Sequence, residues 1–152
     1  MGLVLVLDQL SKWWVVQTLA LHESVPVIPG LFNLTYLTNT GAAFSLLAGR
    51  PALWRQVFFI TITVIALVAI TIMQRRLAPV SRWYTVSLAL IGGGAAGNLV
   101  DRLRAGAVVD FLDFYIGSHH WPAFNVADSA ITVGVVIFLL VQFLHRDEPA
   151  AF

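Results

Sequence analysis

The chain has 152 residues, of which 59% are hydrophobic and only 11% are charged, whereas an average soluble domain is about 25% charged. The high hydrophobic content excludes a disordered chain, and nine Lys and Arg against eight Asp and Glu do not give the basic composition of a nucleic-acid-binding domain. The absence of cysteine excludes disulfides, thiol nucleophiles and Cys-ligated metals. The composition therefore favours an integral membrane protein over most soluble enzymes.

Four mostly apolar stretches each approach the ~20 residues that a helix needs to cross a bilayer. They predict an all-α membrane protein with four transmembrane helices, forming a single integral membrane domain over residues 1–152. The predicted spans are about 2–21, 54–74, 83–103 and 125–144.

Two longer connections, 22–53 and 104–124, leave the same face of the predicted bundle. Apolar and polar residues alternate from Phe32 to Thr38, which is typical of a β-strand. The second connection is rich in aromatic residues, and Trp and Tyr prefer the membrane interface. We therefore expect a small β-rich element on the membrane surface beside the four helices.

The arginines between the second and third spans predict the orientation. Arg75, Arg76 and Arg82 occur there without any acidic residue, and short cytoplasmic loops are enriched in Lys and Arg. With four spans, both termini are then cytoplasmic. The two longer connections then lie on the outward face of the membrane.

Ionisable residues inside a bilayer are costly, so each is a candidate functional residue. Asp8 and Lys12 are four residues apart on the first span and share one helix face. They are interpreted as an intramembrane ion pair or as part of a site, and the two roles are compatible if the pair braces a site.

Asn98, Asp101 and Arg102 form one polar stripe at the outward end of the third span. For Asp101, the favoured interpretation is an interfacial pair with Arg102 that anchors the helix end. Asn98 lies deeper, and an amide at that depth usually hydrogen-bonds to a neighbouring helix.

Asp110 and Asp128 lie at the same outward face, one before and one after the end of the second connection. Asn125 is a predicted N-cap of the fourth span, so Asp128 could simply be a capping carboxylate at N3. If the two acids converge, their proton affinities are pushed apart, as acid–base catalysis of peptide hydrolysis with an activated water requires.

Other polar residues of the two outward connections are given ordinary roles. Asp113 is interpreted as a loop acid turned to water, and His119 and His120 as interface residues. Ser45 is a hydroxyl without an assigned role.

Five ordered blocks cover nearly the whole chain: DQLSK at 8–12, NTGAAFS at 39–45, GGAAGNLVDR at 93–102, VDF at 109–111 and FNVADS at 124–129. With these blocks, the chain resembles the bacterial lipoprotein signal peptidases (signal peptidase II), a family of aspartic proteases of the inner membrane. Any one block is weakly specific, whereas five in order on four predicted spans are strongly specific.

The resemblance implies that Asp110 and Asp128 are the catalytic pair, which activates water near the periplasmic face. It implies a prolipoprotein substrate that carries diacylglycerol on its cysteine and is cleaved just before that cysteine. Membrane lipid and globomycin-type inhibitors are the other implied partners, with no nucleic acid, no metal and no organic cofactor. The residues implied to line or support the site are Asp8, Lys12, Asn39, Gly41, Asn98, Arg102, Asn125 and Ala127.

Two other classes of function remain open at this point. A four-span proton-coupled transporter would place acids near mid-membrane, usually with repeat symmetry, and only Asp8 and Lys12 lie that deep. A non-enzymatic subunit of a membrane assembly would tolerate the loss of Asp110 or Asp128.

Overall fold

A computed structural model describes residues 1–41 and 53–144. In chain order its elements are α1 (Gly2–Thr18), β1 (Ser24–Ile28), β2 (Phe32–Asn39), α2 (Leu53–Leu77), α3 (Arg82–Ala105), β3 (Val108–Ile116), β4 (His119–His120) and α4 (Val126–Leu144). The strands form one antiparallel sheet in the order β1-β2-β3-β4.

The prediction of an all-α protein is wrong, because this four-stranded sheet is part of the fold. Alternation correctly indicated β2, but the segment 104–124, expected to be an aromatic-rich connection, contains the nine-residue strand β3. Val108, Asp110 and Phe111 are all buried. A strand buried on both faces does not show the alternation that reveals a half-buried strand.

The prediction of four transmembrane helices is also wrong. Within residues 1–41 and 53–144, only α2 and α4 are long and apolar enough to cross a membrane. α1 has 17 residues and includes two charged side chains, and α3 includes a glycine run and several polar residues. In both helices, small or polar residues that contact other elements stand where a membrane span would have apolar residues.

α3 is the central helix, with α2 and α4 packed against it and α1 against both α3 and α4. Its buried side includes Tyr84, Ser87 and Leu88. In contrast, only Phe59 and Ile70 of α2 are buried. An apolar helix that buries so little of itself suits a lipid environment, where the solvent is as apolar as the side chains.

Two glycines of α3 allow its neighbours to approach closely. A Cβ atom at Gly94 would collide with the Ala127 carbonyl oxygen, and one at Gly97 would collide with the Asp8 carboxylate. The missing side chains bring the polar residues of α1 and the start of α4 within hydrogen-bonding distance of each other.

The sheet is joined to this helical core at the end of α3. Gly106 ends the helix with φ of 72°, a left-handed conformation that glycine adopts without strain, and the chain then enters β3. The register between β2 and β3 pairs Leu37 with Asp110 and Asn39 with Val108. Asn39 and Asp110 are thereby placed on neighbouring strands at the helix-proximal end of the sheet.

We expect Gly94→Ala to lower the thermal stability of the protein in detergent. Overpacking a tight contact typically costs about 1–3 kcal/mol, and the new methyl group would meet backbone rather than a flexible side chain. Gly2→Ala is the matched control, because no atom lies within 4 Å of a Cβ atom there. Equal melting temperatures for the two variants would contradict the close packing of α3 and α4.

Candidate active site

Asp110 lies in β3 with only 4% of its surface exposed. Its Oδ1 atom accepts a hydrogen bond of 2.7 Å from Asn125 Nδ2, and its Oδ2 atom accepts one of 3.2 Å from Asn39 Nδ2. Two amide donors from different elements, α4's N-terminal cap and β2, therefore fix the position of this carboxyl group.

Burial raises the pKa of Asp110 from its ordinary value of 3.8 to about 7. Desolvation is the largest cause, because it disfavours the charged form, and the negative charge of nearby Asp128 acts in the same direction. The amide donors from Asn39 and Asn125 oppose the shift. Asp110 is therefore able to hold a proton at a pH where an exposed aspartate has lost it.

Asp128 lies in the first turn of α4. Its backbone N–H donates to Asn125 Oδ1 at 2.9 Å, which confirms Asn125 as the N-cap. The Asp128 carboxylate accepts a hydrogen bond of 2.8 Å from Asn98 Nδ2 on α3. The carboxylate is thus held toward α3, and its bond to another helix goes beyond a capping role.

Asn125 is the residue that joins the two acids. Its side chain is fully buried; it donates to Asp110 Oδ1 and accepts from the backbone N–H of Asp128. A single amide side chain therefore sets the relative position of Asp110 in the sheet and Asp128 on the helix.

A buried ion cluster lies behind the two acids. The Lys12 ammonium is 2.9 Å from Asp8 Oδ2 and 2.8 Å from Asp101 Oδ2, and it donates to Asn98 Oδ1 at 3.0 Å. The predicted pairing of Asp8 with Lys12 is confirmed. The favoured pairing of Asp101 with Arg102 is wrong, because packing of α1 on α3 brings the Lys12 ammonium to Asp101.

Asp8 extends this cluster to α4. Its Oδ1 atom accepts a hydrogen bond of 2.9 Å from the backbone N–H of Ala127. Gln9, which the sequence did not single out, donates to Asp101 Oδ1 at 2.8 Å and to the Gly97 carbonyl at 3.2 Å. The sequence feature that could have indicated a role for Gln9 is its polar amide next to Asp8 within a predicted membrane span.

Arg102 holds the end of β2 against α3. Its guanidinium donates to the Gly41 carbonyl at 2.9 Å and lies 5.1 Å from the centre of the Phe59 ring. The N–H of Gly41 in turn donates to Asn39 Oδ1 at 2.9 Å. Arg102 therefore fixes the turn from which Asn39 reaches Asp110.

These polar groups open into one cavity of about 600 Å³. The charged and amide side chains that line it are Asn39, Asn98, Arg102, Asp110 and Asp128, joined by three hydroxyl side chains, and the apolar lining comes from α2, β3, α4 and the 121–124 segment. The structure thus brings the predicted site residues together, with Asp8, Lys12, Gly41, Asn125 and Ala127 in supporting contacts.

Asp113 was expected to face water, and this interpretation is wrong. Only 9% of the residue is exposed, and its carboxylate contacts His120 Nδ1 at 2.8 Å and Asn33 Nδ2 at 2.9 Å. Asp113 does not line the cavity. It joins β3 to β2 and β4, whereas His119 stays exposed.

Ser45 and the second half of the block at 39–45 lie outside the described residues. In the part of the chain that is described, no group of three His, Asp or Glu side chains is arranged to hold a metal ion.

Two neighbouring carboxyl groups, one able to hold a proton near neutral pH, lie in a cavity on a scaffold with two apolar helices. This arrangement is typical of membrane-bound aspartic hydrolases. The comparisons with known proteins refine the class. The signal peptidase II (SPase II) family profile matches residues 1–144.

The lipoprotein signal peptidase of Syntrophus aciditrophicus is 50% identical over 97% of this chain and 91% of that protein. The one from Geobacter metallireducens is 54% identical over 95% of this chain and 86% of that protein. A solved structure described as a bacterial membrane enzyme has a TM-score of 0.86 at 32% identity, covering 99% of this chain and 89% of that one. The chain belongs to the signal peptidase II family, which confirms the resemblance drawn from the five blocks, and it is an aspartic endopeptidase.

Asn125→Ala and Asn125→Ser separate the capping role of Asn125 from its bond to Asp110. A serine still caps the helix, whereas an alanine loses the cap at a cost of about 0.5–2 kcal/mol. Alanine has no side-chain donor, and the serine hydroxyl is one bond shorter than the amide, so it does not reach the position from which Asn125 Nδ2 donates to Asp110 at 2.7 Å. We expect the serine variant to recover most of the lost melting temperature but to cleave substrate as poorly as the alanine variant. Wild-type cleavage by Asn125→Ser would show that the bond to Asp110 is dispensable.

Proposed function

We propose that this enzyme removes signal peptides from prolipoproteins, with Asp110 and Asp128 as its catalytic pair. Family membership supports the reaction. The observation that supports the pair is the buried Asn125 amide, which binds both residues beside one cavity. Peptide hydrolysis by two carboxyl groups needs them close together with different proton affinities.

In this proposal, Asp128 begins as the carboxylate and Asp110 as the neutral acid. Asp128 accepts a proton from a water molecule while the water oxygen attacks the scissile carbonyl carbon. Asp110 donates a hydrogen bond to the carbonyl oxygen, where negative charge develops. When the tetrahedral intermediate collapses, the C–N bond breaks and the proton held by Asp128 passes to the leaving amine.

The substrate class follows from the resemblance and suits the cavity. We propose a prolipoprotein that carries diacylglycerol on its cysteine and is cleaved on the N-terminal side of that cysteine. Apolar side chains from α2 and α4, including Phe59, Ile131 and Val133, line the cavity beside the acids. Such a lining suits an apolar signal peptide and acyl chains, and globomycin-type inhibitors would compete for the same space.

The charge distribution supports an orientation in the bacterial inner membrane. The basic residues Arg75, Arg76 and Arg82 lie at the ends of α2 and α3 that are remote from the sheet, and basic loops prefer the cytoplasm. The 25 residues of α2 span about 37 Å at 1.5 Å per residue. The sheet and the acid pair would then lie near the periplasmic face, with the start of α1 and the end of α4 directed toward the cytoplasm.

Asp110→Asn and Asp128→Asn should each lower the rate of cleavage by about 10²- to 10⁴-fold, which is the range for the loss of a general acid or base. Asp113→Asn is the matched control, because it neutralises an acid of the same strand that lies outside the cavity. The assay is a gel shift of a lipidated prolipoprotein by purified enzyme in detergent. Near-native turnover by either of the first two variants would refute the pair.

The pH dependence of kcat/KM tests the protonated state of Asp110. Since the neutral acid is the active form and burial raises its pKa to about 7, cleavage should fall as the pH rises through about 7. kcat/KM is the correct quantity because it reports ionisations of the free enzyme. A profile that stays flat well above pH 7 would mean that Asp110 need not be protonated.

A further inference from the structure

The Asn98 side chain can adopt only one orientation of its amide. Its Oδ1 atom accepts from the Lys12 ammonium at 3.0 Å, and its Nδ2 atom donates to Asp128 at 2.8 Å. An ammonium group has donors and no acceptor, so the amide oxygen must face Lys12. The amide N–H is therefore always directed at Asp128.

Lys12 itself has little freedom to move. It is 3% exposed, and its contacts to Asp8, Asp101 and Asn98 use all three ammonium donors. The cation that orients Asn98 is thus held by two carboxylates from α1 and α3.

The amides that contact Asp110 are oriented differently. The oxygen of Asn39 accepts from the backbone N–H of Gly41, and that of Asn125 accepts from the backbone N–H of Asp128. Both orienting groups are neutral peptide N–H groups. Asp128 is therefore the member of the pair whose amide donor is polarised by a buried cation.

We propose that Asn98 is a positioning residue that relays the Lys12 charge to Asp128 and so makes Asp128 the ionised member of the pair. The inference rests on the proposed function and deepens it, because it names the contact that sets which acid begins as the base. Hydrogen bonds to a charged group are stronger when the donor is itself polarised in a low-dielectric interior.

Other charges also act on Asp128 and must be separated from this relay. They are Asp110 from β3, Arg102 from α3, and Asp8 together with Lys12 from α1. Lys12 attracts the Asp128 anion directly through space, and it acts on Asp110 in the same direction. A double-mutant cycle distinguishes the direct effect from the one relayed by Asn98.

The experiment measures the acidic limb of the pH profile of kcat/KM for wild type, Asn98→Leu, Lys12→Gln and the double variant. Leucine matches the size of asparagine and removes the donor to Asp128 without adding charge. Losing a hydrogen bond to a charged group should move the limb to higher pH by about one unit. In the Asn98→Leu background, Lys12→Gln should move it by less than half of its shift in wild type.

The proposal would be overturned if the acidic limb of Asn98→Leu stays at its wild-type pH while only the activity falls. It would also be overturned if the shifts caused by Asn98→Leu and Lys12→Gln add fully in the double variant. If Lys12→Gln does not fold, the proposal is tested by the pH of the Asn98→Leu acidic limb compared with that of the wild type. Tyr84→Phe is the control for a purely structural contact, because it removes a part-buried hydrogen bond of 3.1 Å between α3 and Gln142 of α4; it should leave the limb in place. Failure of the catalytic pair itself would instead appear as cleavage by Asp110→Asn or Asp128→Asn.

Discussion

A single buried cation, the Lys12 ammonium, connects the elements that form the site. Its partner Asp8 accepts the Ala127 N–H at the start of α4, and its partner Asp101 accepts the Val109 N–H of β3 at 3.2 Å. The Lys12 ammonium and its two carboxylate partners thus connect α1, α3, α4 and the sheet. Removing one partner of such a buried pair typically costs about 3–5 kcal/mol, because the remaining charge is left uncompensated.

This cluster explains why α3 is a poor membrane span by composition. Between helices in lipid there is little hydrophobic driving force, so association depends on close packing and polar bonds. Gly94 and Gly97 supply the close packing, and Asn98 and Asp101 supply the bonds. The residues that assemble the site are therefore the ones that reduce the apolar length of the helix.

The predictable parts of the structure were those that depend on local pattern. Mostly apolar stretches predicted helices at all four positions, and the spacing of Asn125 and Asp128 predicted a capped helix start. β3 could not be predicted in this way, because burial on both faces removes alternation. The partner of Asp101 was missed because pairing with Lys12 depends on how α1 packs on α3, and neighbouring Arg102 offered a simpler local pair.

In the proposed mechanism, the acid pair holds one proton, and Asp110 carries it in the substrate-free enzyme. Infrared spectroscopy of isotope-labelled aspartate carboxyl groups in detergent tests this directly, at a pH below the value of about 7 to which burial raises the pKa of Asp110. We expect a protonated-carboxyl band that disappears in Asp110→Asn and persists in Asp128→Asn. A band that persists in Asp110→Asn and disappears in Asp128→Asn would contradict this mechanism.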